Sequence, residues 1–369
     1  MNDADEMHMR VALDLARRGY GSTSPNPMVG ALLVKGRIII GKGWHRKAGK
    51  AHAEIEALGD AHRNDCSPKD ATLYVTLEPC STSGRTPPCT RAIIESGIRR
   101  VVIAATDLNP VHAGNAYCLF RQSGIEVRKG VLGKEAMELN AAYNHWIVNR
   151  SPYVTVKAAM TLDGKIADKS GCSKWITSKF SRRTGMFLRN GTDAVLIGIE
   201  TVLADDPNLT ARGKRGGTRL RRVVLDSSAR TPVDSKIVSD EAAGLTTIVV
   251  LKSASHSRLI ELRKRVNVIE APSRKGRIDL KWLLKRLGKE NVISLLVEGG
   301  GKVNAAFLNE HLAQRIAFFY APRILGGCSS PTAVAGSGVN HFEDTLRLSE
   351  GKWCQLGPDL LLTARVSED

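Results

Sequence analysis

The chain has 369 residues, and at roughly 100 to 200 residues per domain this length favours two domains and argues against a single small binding module. Hydrophobic residues at 42% and charged residues at 25% exclude a disordered, collagen-like or membrane-array protein. The formal charge of +17 fits a nucleic-acid partner, a polyanionic small substrate or a basic surface, and composition does not choose among them.

In chain order, Met9, Ala12, Leu13 and Ala16 fall at helical spacing within Asp5 to Arg18, and Gly19 stops the pattern. A turn-rich GSTSPNP follows, then MVGALLV and RIIIGKG around Lys35 and Gly36 as a β-hairpin. A helix starts near His52. The apolar runs ATLYVTL, RRVVIAAT and GIEVRKG alternate with helical stretches from about Pro87 and Ala116, the signature of a layered α/β domain. A last helix, Lys134 to Ile147, runs into Asn149, Arg150, Ser151 and Pro152, where proline disfavours continued helix. The boundary is placed there, giving domains 1–148 and 149–369.

The second half restarts the alternation with YVTVKAAM, DAVLIGI, RRVVLDS, TTIVVL, NVIEA, VISLLVEGG and QRIAFFYAP, and helical patterns near 178–190, 278–287 and 302–310. It reads as a second α/β domain. Up to residue 148 there are 19 basic and 15 acidic residues, against 35 and 22 beyond it, so most of the excess charge belongs to the second half. Part of it is the cluster Arg212, Lys214, Arg215, Arg219, Arg221 and Arg222, open between a solvated loop and an anion site. Seven scattered cysteines do not form a disulfide framework, no signal-peptide core or membrane-length apolar run is present, and the expected location is the cytoplasm.

The strongest chemical signal is His52, Ala53, Glu54 followed by Pro79, Cys80 and Cys89. One imidazole and two thiolates are three good Zn²⁺ ligands, and three protein ligands leave a fourth tetrahedral position for water, the arrangement of catalytic sites. Such a metal lowers the pKa of its water from 15.7 to about 7. Glu54, two residues from a ligand, is placed to carry a proton from that water to a leaving amine. Helix starts at His52 and after Pro87 and Pro88 favour thiolate there. His45, His112 and His145 are further ligand candidates, each more simply read as a surface or core histidine.

These residues resemble the zinc-dependent cytidine deaminase superfamily, whose pattern is H-x-E followed by P-C-x-x-C. Here eight residues, STSGRTPP, separate the cysteines. LEPC, GRTPPC, PNPMVG (Pro25 to Gly30) and AGKAHAE (Ala48 to Glu54) resemble instead the deaminase half of the bifunctional riboflavin-biosynthesis RibD family. That resemblance implies His52, Cys80 and Cys89 as zinc ligands, Glu54 as proton shuttle and Asn26 as a hydrogen-bonding partner of the pyrimidine. Asn26 between two prolines otherwise reads as a turn residue. Two stretches depart from the family: Ser81, Thr82, Ser83, Gly84 stand where it usually reads SHHG, and His112, Ala113, Gly114, Asn115, Ala116 where it usually reads VAG, a basic residue and Gly. The family's ribose and phosphate contacts do not carry over there.

In the second half, VKAAMTLDGKIA (Val156 to Ala167), SKWITS (Ser173 to Ser178), TVLADDPNLTAR (Thr201 to Arg212), RVVLDSSARTP (Arg222 to Pro232) and VEGGGKVNAAFL (Val297 to Leu308) resemble, in order, the reductase domain of the same family, whose fold is similar to dihydrofolate reductase. No GxGxxG follows the first strand, so a Rossmann fingerprint is excluded, and the glycine turn alone is equally a phosphate cradle or a tight packing turn. The resemblance implies NADPH bound by Ala159, Trp175, Thr201, Asp205, Ser227, Gly300, Gly301, Lys302, Val303 and Asn304. Substrate contacts would come from Lys157, Ser173, Arg189, Leu209, Arg212 and Glu298; the arginines suit a phosphate through bidentate charge-assisted bonds. Singly, Trp175 reads as a core aromatic, Arg189 as an exposed helix residue and Asp205 as a turn or cap.

The expected protein is therefore α/β throughout, a cytidine-deaminase-like three-layer domain followed by a dihydrofolate-reductase-like domain. Zn²⁺ and NADPH are its cofactors and phosphorylated pyrimidines its substrates; it is a homo-oligomer without nucleic-acid or membrane partners. Two other readings stay open: a nucleic-acid base deaminase gripping phosphates with its basic half, and a zinc-stabilised scaffold with inactive sites.

Overall fold

The computed structural model describes residues 3–82, 87–211 and 220–367. Among these the chain divides into two compact units, one ending at Arg150 and the other beginning at Ser151.

The first unit runs α1 (Asp3–Arg17), β1 (Gly30–Lys35), β2 (Ile38–Trp44), α2 (Ala53–Arg63), β3 (Thr72–Leu77), α3 (Cys89–Glu95), β4 (Arg100–Ala105), α4 (Asn115–Gln122), β5 (Glu126–Lys129), α5 (Gly133–Leu139) and α6 (Ala141–Asn149). Its sheet has the order β2-β1-β3-β4-β5, with β1 antiparallel to both neighbours and β3, β4 and β5 mutually parallel. Two glycine contacts show why this sheet is the middle of three layers. A Cβ on Gly30 would lie 1.9 Å from the Ala12 carbonyl of α1, and one on Gly43 would lie 2.2 Å from the Ala53 carbonyl of α2. Gly43 is registered against Ala31, the neighbour of Gly30, so the two glycines point to opposite faces and the helices cover opposite sides. With both faces covered, β1 is apolar along its length rather than alternating.

The helix expected over Lys134 to Ile147 is broken at Asn140. The Asn140 side chain accepts from the Met28 N–H at 2.8 Å and donates to the Met28 carbonyl at 2.9 Å. A buried amide that satisfies both backbone groups of a distant residue outweighs one more helical bond.

The second unit runs β6 (Tyr153–Thr161), α7 (Lys179–Asn190), β7 (Ala194–Gly198), α8 (Ile199–Asp205), β8 (Arg221–Leu225), α9 (Lys236–Ser239), β9 (Thr246–Leu251), α10 (His256–Arg263), β10 (Asn267–Ala271), a small ribbon of β11 (Ser273–Arg274) and β12 (Arg277–Ile278), α11 (Leu280–Lys289), β13 (Ser294–Val297), α12 (Gly301–Asn309), β14 (Arg315–Ala321), β15 (Leu348–Leu356) and β16 (Asp359–Val366). The main sheet has the order β10-β9-β8-β7-β13-β6-β14-β16-β15. It is parallel from β10 to β14, and β16 and β15 close it antiparallel. Alternate residues of β7 enter separate cores: Ala194 and Leu196 join Leu283, Leu284 and Phe307, whereas Val195 and Ile197 join Ile237, Leu259 and Leu262. Helices thus cover both faces. The hairpin β15–β16 was not expected from the sequence.

Candidate functional sites at the carboxyl ends of the strands

In the first unit, three elements converge. His52 is the N-cap residue of α2, Cys80 follows the end of β3, and Cys89 opens α3. The His52 Nδ1 lies 3.6 Å from the Cys80 Sγ and 3.3 Å from the Cys89 Sγ, and the three ligand atoms all fall within 4.8 Å of one another. These spacings suit one ion bound at about 2.0 to 2.3 Å from each donor. The Cys89 N–H donates to the Cys80 sulfur at 3.3 Å.

The electrostatics fit a metal as well. Hydrogen bonding from Cys89 and His52 holds the Cys80 thiol well below its usual range despite burial. The Cys80 sulfur beside Cys89, with burial, pushes the Cys89 thiol far up, and the bond to Cys80 raises His52. Two sulfurs and an imidazole this close together compete for protons, and a divalent cation can take the place of those protons. Glu54, in the first turn of α2, is 3% exposed and bonded to Cys89; burial pushes its carboxyl up to about 7.

Asn26 is not a free turn residue. Its amide nitrogen lies 3.1 Å from His45 Nε2, while His45 Nδ1 lies 3.1 Å from the Ala51 carbonyl. A carbonyl only accepts, so the ring proton sits on Nδ1 and Nε2 accepts from Asn26. Burial keeps this imidazole neutral by lowering its pKa. His45 packs edge-on to His52 with ring centroids 5.4 Å apart, so Asn26 is tied to the metal-ligand cluster through one buried ring.

Two carboxylates here escaped the sequence reading. Glu78, directly after β3, accepts from the N–H groups of Asp107, Gly114 and Ala116. Asp107, just after β4, accepts from the Asn109 N–H and the Tyr143 hydroxyl. A signal existed: both are charged residues at the carboxyl ends of adjacent apolar parallel strands, where α/β proteins place their sites.

The second unit repeats that logic. Lys157 and Ala159 share the half-exposed face of β6, Glu298 follows β13, Ser227 follows β8, Thr201 lies in α8 just after β7, and Gly300 to Asn304 open α12. β8, β7, β13 and β6 are adjacent and parallel, so these positions gather at one end of the sheet. Arg189 of α7 grips Glu298 with two bonds of 2.9 Å, Lys157 Nζ lies 3.5 Å from the same carboxylate, and Arg189 also donates to the Thr210 carbonyl at 3.4 Å. Burial opposes ionisation of Glu298, but Lys157 and Arg189 overcome it and hold the carboxyl down to about 2. The fork of Arg189 therefore engages Glu298 first. The Ser173 hydroxyl donates to Asp205 at 3.0 Å, Leu209 is buried with a left-handed backbone, and Arg182 stacks on the exposed Trp175 at 4.4 Å.

The glycine turn serves two ends. A Cβ on Gly301 would meet the Thr332 carbonyl at 2.1 Å, so packing requires that glycine, whereas Gly300 has nothing within 4 Å and leaves the start of α12 open to a phosphate. Arg212, Lys214, Arg215 and Arg219 lie outside the described residues. The rest of the basic cluster is paired rather than open to an anion: Arg221 with Glu290 at 2.9 Å, and Arg222 with both oxygens of Asp240 at 2.7 Å.

Residues 2–105 match the family described as the cytidine and deoxycytidylate deaminase zinc-binding region, and residues 152–362 match the RibD C-terminal domain. The chain is 43% identical to riboflavin biosynthesis protein RibD of Aquifex aeolicus, over 98% of each chain, and 36% identical to that of Escherichia coli K12, over 97% of this chain and 98% of the relative. The solved RibD of Acinetobacter baumannii is similar at a TM-score of 0.87 and 34% identity over 99% of both chains. A deaminase/reductase from Thermotoga maritima is similar at 0.86 and 35%, over 98% of this chain and 99% of the other. Fold and sites thus define a two-domain enzyme, a deaminase with a zinc-binding region followed by a reductase of the dihydrofolate-reductase-like fold. The chain belongs to the RibD family of riboflavin biosynthesis.

Proposed function

We propose that residues 1–148 deaminate 2,5-diamino-6-ribosylamino-4(3H)-pyrimidinone 5′-phosphate, and that residues 149–369 reduce the resulting 5-amino-6-(5-phosphoribosylamino)uracil to its ribityl form with NADPH. The observation that carries this reading is the His52, Cys80 and Cys89 cluster with a buried, proton-holding Glu54 beside it.

In this reading His52, Cys80 and Cys89 hold zinc, which when bound makes water acidic enough to act as a nucleophile at neutral pH. Asn26, oriented by His45, hydrogen-bonds the pyrimidine. Glu54 takes a proton from the attacking water and delivers it to the departing amine, so that ammonia leaves and a carbonyl remains; a carboxyl with a pKa of about 7 suits both halves of that transfer.

In the reductase, NADPH supplies a hydride to C1′ of the ribose. Ala159, Trp175, Thr201, Asp205, Ser227 and the turn Gly300, Gly301, Lys302, Val303 and Asn304 hold it, with the open start of α12 taking phosphate. Glu298 stays ionised and accepts from substrate hydroxyls, Lys157 and Asp205 lie by the ribose, and Ser173, Arg189, Leu209 and Arg212 complete the substrate site. The seven free thiols support a reducing, cytoplasmic location, and the exposed Phe342 and Trp353 support association of copies.

The test follows ammonia release and NADPH oxidation separately on the diaminopyrimidine nucleotide. Ammonia release followed by NADPH oxidation is expected; zinc-loaded protein that releases no ammonia would overturn the reading.

A further inference from the structure

The two stretches in which the sequence departs from its family lie 30 residues apart in the chain, yet they touch: the Thr82 Oγ1 is 3.4 Å from the His112 Nδ1. Thr82 stands two residues beyond Cys80, a member of the His52, Cys80 and Cys89 cluster, so the contact joins the loop that leaves that cluster to the loop after β4.

The segment carrying His112 is held firmly. Helix α4 begins after Gly114, a left-handed N-cap without a side chain to satisfy the first N–H groups. Glu78 supplies that cap from another element. Its Oε2 accepts from Gly114 at 3.0 Å and Asp107 at 3.3 Å, and its Oε1 accepts from Ala116 at 3.1 Å. The carboxylate is 3% exposed, so its charge is satisfied by these three donors rather than by water. Asp107 is fixed in turn by Tyr143, and the Thr106 hydroxyl bonds Tyr117 at 2.8 Å. Both ends of the loop 107–116 are therefore anchored, with His112 between the anchors.

We propose that His112 is a specificity-determining residue on the rim of the deaminase site, paired across it with Thr82, and that Glu78 is the positioning residue that holds it there. The replacements in the two stretches are then one coupled change: the imidazole stands on the loop after β4, and the loop after Cys80 answers with a hydroxyl. This rests on the deaminase reading of the first unit.

The test uses zinc-loaded full-length protein with the diaminopyrimidine nucleotide. In His112→Ala the KM for ammonia release should rise about fivefold or more, the worth of one hydrogen bond, with kcat nearly unchanged. Thr82→Val should raise KM in the same direction, and the double variant should be little worse than His112→Ala alone, since both remove one contact. Glu78→Gln keeps one acceptor oxygen and should show the same KM-against-kcat split, while Glu78→Ala should lose more; zinc content and NADPH oxidation with the deaminated uracil substrate supplied directly stay at the wild-type level throughout. Should Glu78 variants fail to fold, the partly exposed His112 and Thr82 decide the matter. KM values unchanged in His112→Ala, or additive effects in the double variant, overturn the inference while the deaminase reading stands. A wild-type protein that releases no ammonia overturns both.

Discussion

Glu54 is forced toward its neutral form by burial, and this has a measurable sign. Its folded pKa of about 7 lies above the ordinary 4.5, so between these values the folded state binds more protons than the unfolded one. Stability of the metal-free protein must then fall as pH rises through that window, by up to about 3 kcal/mol from this one group. Glu54→Gln removes the titration. Denaturant midpoints of the two metal-free proteins should approach each other near pH 4.5, and the variant should be the more stable at pH 8; parallel curves would exclude a buried proton on Glu54. In the zinc-loaded enzyme the same variant should retain metal and NADPH oxidation of the deaminated uracil substrate while ammonia release falls by roughly 10² to 10⁴, as for loss of a general acid–base. The gathering of His52, Cys80 and Cys89 with Glu54 nearby is legible in the sequence because a short motif with defined donor types carries its own chemistry. His45 carries no such signal, since nothing near it in sequence announces a partner 19 residues away.

At the scale of elements, what periodicity reports is what the chain showed in advance. The amphipathic α1, the hairpin β1–β2 and the buried parallel strands lie close to their expected spans, because each buries a regular pattern of its own. Hairpin β15–β16 escaped notice since β15 is exposed at eight of nine positions and so lacks alternation, although Gly357 and Pro358 mark its turn. The break at Asn140 is tertiary in origin. Asn140→Ala strands both Met28 backbone groups and should cost about 1 to 3 kcal/mol in chemical denaturation. Because Met28 adjoins the Asn26 turn, it should also raise the deaminase KM more than it lowers kcat; unchanged stability would show that water replaces the amide. Arg222 makes the parallel case in the second unit. Its five donor bonds reach Thr246, Asn208, Ile237 and both oxygens of Asp240. Arg222→Met should cost about 3 to 5 kcal/mol, the range for breaking a buried pair. In the sequence this residue is indistinguishable from the other members of the basic run, since charge alone does not report burial.

For the whole molecule, the two cores are the useful fact. The first unit has an apolar cluster from Met9 to Ala136, and the second has clusters on both faces of its sheet. The proposed metal ligands His52, Cys80 and Cys89 all lie in the first unit, and every residue proposed for NADPH lies in the second. Among the basic residues after residue 148, Arg189, Arg221 and Arg222 are paired with Glu298, Glu290 and Asp240. A selective loss follows. Dialysis against a strong chelator should abolish ammonia release and leave NADPH oxidation of the deaminated uracil substrate near its starting rate, with zinc restoring the first activity alone. Circular dichroism before and after chelation checks that the fold persists: the buried cluster takes in Cys89, but its bulk is apolar side chains such as Ala57, Val75 and Ile103 and should hold the unit together without the ion. Parallel loss of both activities would mean that the ion supports more of the molecule than the site it occupies.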